Sequence, residues 1–200
     1  MRPARGQALI EFALVLPVLL LALTAVLEFG LAFSHHLTLE YGTREGSRTG
    51  SSLARGGSTN CVGGVDLVGV DQQVVAAVQR ILKSPGSAVN VAAVSEIRLY
   101  RADADGNQVG SQANTWRYTP GTGPDIDPGP AVERLDFSQA SVGWPVCSRS
   151  NGSAPDSIGV GIVYGYRLQT PLGAIVSYFG GSQAATIRIT DRTVMALNPD

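Results

Sequence analysis

The hydrophobic pattern divides the chain near residue 35. Phe12 to Leu27 is an uncharged apolar run, and Phe29 to Phe33 extends it past Glu28. A bilayer core needs about 20 helical residues, so this run predicts a helix that spans a membrane. Pro17 within it removes one backbone hydrogen bond, which membrane helices tolerate. Glu28 falls near the far interface, where an acid is cheap or takes a specific partner. Past Phe33 the helix is predicted to continue in solvent, with Leu37, Tyr41 and Glu45 on one face and Glu40 and Arg44 as an i, i+4 pair. Gly46 to Ser52 lowers helical propensity, and Gly56–Gly57 closes the element.

Shorter periods follow. Leu67, Val70, Val74, Val78 and Ile81 recur at helical spacing, with Asp66 as N-cap and Ser84-Pro85-Gly86 as the stop. Glu96 to Arg101 alternates, with Ile97 and Leu99 on one face, and leads into a hairpin turn at Ala102–Asn107. Thr119 to Pro130 is a Pro/Gly loop. Ser157 to Leu168 alternates strictly, which predicts a strand with Ile158, Val160, Ile162, Tyr164, Tyr166 and Leu168 on a buried face. Gly159, Gly161 and Gly165 on its other face predict a close neighbour. Pro171 can open a short helix to Phe179, and Ala185 to Met195 reads as a last strand, bulged near Asp191. The fold class is therefore α+β. A long N-terminal helix, membrane-spanning in its first half, packs with a second amphipathic helix on an antiparallel sheet. The expected divisions are residues 1–6, the helix over 7–56, and an extracytoplasmic α+β domain over 57–200.

Charge sets the orientation. Arg2 and Arg5 are the only charges before Glu11, so the positive-inside rule keeps the N-terminus cytoplasmic and sends the chain after about residue 35 outside. A cleavable secretory signal would want a shorter apolar core and a small-x-small site, which LEFGLAF does not supply. The net charge of −1 carries no footprint for nucleic acid. Cys61 and Cys147 form no CxxC and have no histidine at ligand spacing. On an oxidising exterior the two can pair.

Catalytic chemistry finds few parts. His35 and His36 are adjacent, point in different directions on a helix, and fit the headgroup region. There is no P-loop, GxSxG or HExxH. Asp103-Ala104-Asp105-Gly106 fails the calcium-loop pattern, because Gly106 directly follows the second Asp. Asp125 and Asp127 read as solvated loop acids. The expectation is a protein that is not an enzyme, with no cofactor, no metal and no small-molecule substrate.

Glu11 is the residue that asks for an explanation. A carboxylate at the edge of lipid costs at least a few kcal/mol and usually has a partner. One candidate is the positive end of the helix dipole. The other is an ammonium group: a cut after Gly6 would give Gln7 a new α-amino group four residues ahead of Glu11.

Gly6 followed by Gln7-Ala8-Leu9-Ile10-Glu11-Phe12, at the head of an apolar run, resembles the class III signal of type IV prepilins. The resemblance implies that a membrane prepilin peptidase cuts after Gly6, so residues 1–6 are a leader. It also implies that Glu11 neutralises the N-terminal amine of a neighbouring subunit during filament assembly. Leu27-Glu28-Phe29-Gly30, Thr43-Arg44-Glu45-Gly46-Ser47-Arg48 and Thr193-Val194-Met195 are most similar to the TadE-like proteins of the tight-adherence (Flp) pilus system. The implied protein is a single-pass minor pilin of the cytoplasmic membrane, type IV pilin-like in architecture. Its partners are the membrane, the peptidase and other pilins. A single-pass anchored extracytoplasmic binding module with no filament role is the alternative, with Glu11 a tolerated interfacial acid.

Overall fold

The computed structural model describes residues 4–53, 61–126, 133–152, 154–181 and 183–198. These fall into two compact units. One combines the first part of the N-terminal helix, to Ser34, with Tyr166–Ile187; the other takes His35–Gly165 and the chain from Arg188 onward.

Helix α1 runs Ala4–Leu53 with Pro17 inside it. It begins within the segment expected to be a leader. Gly56–Gly57, the expected stop, lie outside the described residues. Among the described residues this is the one helix long and apolar enough to cross a membrane, consistent with a single-pass anchor. In the first unit its apolar side chains have no cover: Leu9, Leu14 and Val26 are each 70% exposed. The same unit holds α3, Pro171–Gly180, opened by its proline as expected.

The second unit is built on a five-stranded sheet in the order β5-β4-β3-β6-β7. The strands are β3 Val94–Ala102, β4 Gln108–Tyr118, β5 Phe137–Val142, β6 Ser157–Arg167 and β7 Thr186–Ala196. β3 pairs antiparallel with β4 and with β6. A two-stranded ribbon, β1 Cys61–Val62 with β2 Val65–Asp66, precedes α2, Val70–Leu82. The second helix thus starts three residues later than its periodicity suggested, and Leu67 is exposed. The cause is Gly69, whose left-handed backbone (φ 65°) occupies the N-cap. Asp66 still serves the helix start, since its carboxylate accepts from the amides of Val68, Gly69 and Val70.

The predicted face of β6 is buried at Ile158, Val160, Ile162 and Tyr164. Its glycine face also has the close neighbour that was expected. Tyr100, opposite Gly159 in the register, lays its ring over that residue, and a Cβ there would fall 2.3 Å from the ring.

The second part of α1 buries a different face from the one its large residues suggested. Tyr41 is 61% exposed, while Leu39, Thr43 and Ser47 are sealed. Between them Gly42, Gly46 and Gly50 form a stripe at i, i+4 spacing. A Cβ on Gly46 would meet Val78 at 2.7 Å and Val160 at 3.2 Å; one on Gly50 would meet Ile158 at 2.7 Å. These glycines weaken helical propensity, but they let the helix backbone approach α2 and β6 more closely than any side chain would allow.

Candidate functional site

Gly6 is exposed, and a Cβ there would meet nothing within 4 Å. The Gly6–Gln7 bond lies inside α1. One turn on, the Gln7 side-chain amide donates to Glu11 Oε1 at 3.1 Å. That amide lends a hydrogen bond but no charge. Ile10 and Phe12 beside the carboxylate are 64% and 62% exposed. Glu11 therefore stands on an uncovered apolar helix surface with its negative charge uncompensated by that partner.

Glu28 takes a specific partner set. It is 5% exposed. The Tyr166 hydroxyl and the Gln169 amide donate to Oε1, the latter at 3.0 Å, and the Thr170 amide donates to Oε2 at 2.8 Å. Thr170 is the N-cap of α3 and has no side-chain cap bond. The carboxylate thus sits at the helix start, where backbone N–H groups and the dipole favour negative charge. A hydrogen bond to a charged group contributes about 1.5 to 3 kcal/mol. Glu28→Ala should accordingly speed hydrogen exchange of the Gln169 and Thr170 amides by about tenfold to a hundredfold. Unchanged exchange would show that the carboxylate does not hold this segment.

The second unit joins two of the stretches that carry the family resemblance. The Thr43 hydroxyl lies at hydrogen-bonding distance from the Asp191 carboxylate and, at 2.9 Å, from the Thr193 hydroxyl. Ser47 Oγ donates to the Thr193 carbonyl at 2.8 Å, and Ser51 Oγ to the Ala196 carbonyl at 2.5 Å. Hydroxyls one turn apart on α1 thus stitch the helix along β7. His35 does not lie open to a headgroup region. It is 1% exposed, and its ring stacks on Tyr164 at 5.6 Å.

Cys61 and Cys147 form a disulfide, with Cα atoms 5.8 Å apart. Beside it is a cluster the sequence did not disclose. Arg149 Nη2 donates to Asp71 Oδ1 at 2.6 Å, with both side chains almost fully buried. Asn114 Nδ2 donates to Asp71 Oδ2 at 2.6 Å and to the Trp144 carbonyl at 2.8 Å. Asn114 Oδ1 accepts from the amides of Gly143 and Trp144. The Arg149 guanidinium lies 4.4 Å from the Trp144 ring centre, in cation–π range.

The other acids have local roles. Asp103 accepts from the amides of Asp105 and Asn107, which fixes the β3–β4 turn. Asp125 is gripped by both ends of the Arg134 fork, at 2.7 and 3.1 Å, and that bonding holds its carboxyl below the usual carboxylate range. It is an ion-paired loop acid, not simply a solvated one. Asp127 lies outside the described residues.

No curated protein and no solved structure matches the chain. Residues 6–48 match the family model TadE, described as TadE-like protein. The matched segment begins at Gly6, contains Glu11, Glu28 and, from the packed face of α1, Gly42, Thr43, Gly46 and Ser47, and identifies the N-terminal part of the chain as TadE-like.

Proposed function

We propose that the protein is a membrane-anchored minor pilin, a structural subunit that takes part in assembly of a tight-adherence pilus after processing between Gly6 and Gln7. The observation that carries this reading is the pairing of Glu11 with an uncovered apolar helix in a segment matching the TadE-like family. That family suggests a protein associated with the Tad pilus. An apolar helix with no cover needs lipid or other helices. Within a helix bundle a carboxylate needs a cation, because an isolated charge in a low-dielectric medium is strongly disfavoured. The amine of a processed Gln7 on a neighbouring subunit would meet that need. The remainder of the chain is held as an α+β body and carries contacts with other pilins. Its disulfide suits an oxidising compartment and favours the body outside the cytoplasmic membrane. Packing, rather than catalysis, is the mechanism.

The test is made in the native host. Intact mass should give a chain beginning at Gln7, and Gly6→Ala should retain the leader. Glu11→Ala should insert in the membrane normally but be lost from sheared filaments. A chain that keeps residues 1–6 throughout would favour a plain anchored binding module. Filaments with a full complement of Glu11→Ala subunits would remove the charge-pairing role.

A further inference from the structure

Helix α3 has the wrong surface for water. Leu168 to Ile187 contains no charged residue, and Arg167 and Arg188 bracket it. Within α3 only Gly173 is buried. Tyr178 and Phe179 are 84% and 83% exposed, and Ile175 is 44% exposed. Apolar helices of this length are ordinarily core elements or segments lying in a membrane interface. Exposure on this scale removes the first option.

The position of α3 supplies the second observation. The Glu28 carboxylate holds the Gln169 and Thr170 amides, so α3 starts beside residue 28 of α1. That is where the charge-free apolar run of α1 ends. Phe29 and Phe33 of α1, at the same level, stack on each other and are 73% and 51% exposed. Aromatic side chains collect at the depth where hydrocarbon gives way to headgroups, tyrosine especially, because its ring is apolar and its hydroxyl stays wet.

We propose that α3 is an interfacial helix, lying in the bilayer surface at this end of α1 with Ile175, Tyr178 and Phe179 sunk to the headgroup–acyl boundary. The proposal rests on α1 spanning the membrane through its first part. It makes the first unit the lipid-facing body of the protein, touching the bilayer twice. Interfacial anchors set the tilt and rotation of a spanning helix. Through the Glu28 clamp, α3 fixes the depth and rotation of α1, and hence the direction in which Glu11 faces.

The full chain, with its native disulfide intact, is reconstituted in vesicles of phosphatidylcholine and phosphatidylglycerol. Single cysteines are introduced as Tyr178→Cys, Phe179→Cys and, as the control for the span, Leu20→Cys. Each is labelled with an environment-sensitive nitrobenzoxadiazole dye. Lipids with a doxyl quencher near the headgroup end of the acyl chain should remove most of the emission at 178 and 179. Quenchers near the methyl end should leave those two sites bright and dim the label at 20. If the label at 20 is quenched while those at 178 and 179 stay bright and red-shifted, α3 faces water and the proposal falls, with the span intact. Blue-shifted but unquenched labels at 178 and 179 would mean that α3 packs on protein, which also overturns it. A label at 20 that no lipid quenches removes the span itself, and the interfacial helix with it.

Discussion

Replacing Cys61 or Cys147 with serine should lower the stability of the chain by roughly 4 to 5 kcal/mol, the chain-entropy figure for a loop of this size. The closed loop is long, since the cysteines are 86 positions apart. It takes in α2, β3, β4 and β5, so cutting the link releases most of the second unit in the unfolded state. Local structure cannot make up the loss. The ribbon that carries Cys61 has only two residues in each strand, and an isolated hairpin is marginal in water at best. The Asp66 carboxylate that supports the start of α2 belongs to the same ribbon, so loosening Cys61 also loosens a helix end. Denaturant unfolding of the full chain in detergent, followed through its two tryptophans, provides the measurement. Reduction of the wild-type chain should reproduce the loss seen in either serine variant. If reductant leaves the midpoint in place, the bridge contributes nothing to stability.

What the sequence disclosed follows from the range of the interactions involved. β6 was legible because Ile158, Val160 and Ile162 alternate with glycines, and α2 because Val70, Val74 and Val78 share one face. β4 and β5 carry no such signal. β4 is rich in Gln, Ser, Asn and Thr, and its register shifts beside Trp116. β5 lies at the sheet edge and buries only Phe137. The Gly6–Glu11 arrangement was legible because a carboxylate at the head of an apolar run is conspicuous by itself. The partners of Glu28 were not, because Tyr166 lies 138 positions away and no local pattern links them. Gly46 and Gly50 were open to view, but as weak helix formers. Their i, i+4 spacing was the available sign of a close-packed face, of the kind that small residues build between helices. Asp71 and Arg149 offered no sign, since a pair 78 positions apart reads as two surface charges.

That hidden pair sets the second large effect. Arg149→Met should destabilise the protein by about 3 to 5 kcal/mol, because it leaves the buried Asp71 carboxylate without its cation. The Asn114 amide would remain as a donor to Asp71 Oδ2, but one neutral hydrogen bond does not offset a buried charge. The damage should spread through Asn114, which holds Asp71, the Trp144 carbonyl and the Gly143 and Trp144 amides together. A double variant separates charge from shape. Asp71→Asn keeps an acceptor oxygen for Asn114 and removes the charge, so combined with Arg149→Met it should be less destabilising than Arg149→Met alone. Such a reversal is expected only where the cost comes from an unpaired charge; two independent packing losses would add. Trp144 supplies a readout in the folded state, because the guanidinium lies over its ring. Its emission should change in Arg149→Met and stay near the wild-type value in Asp71→Asn. If the two single losses simply add and the emission does not move, the guanidinium acts as bulk, and the ion pair is not what secures the 143–149 loop to α2.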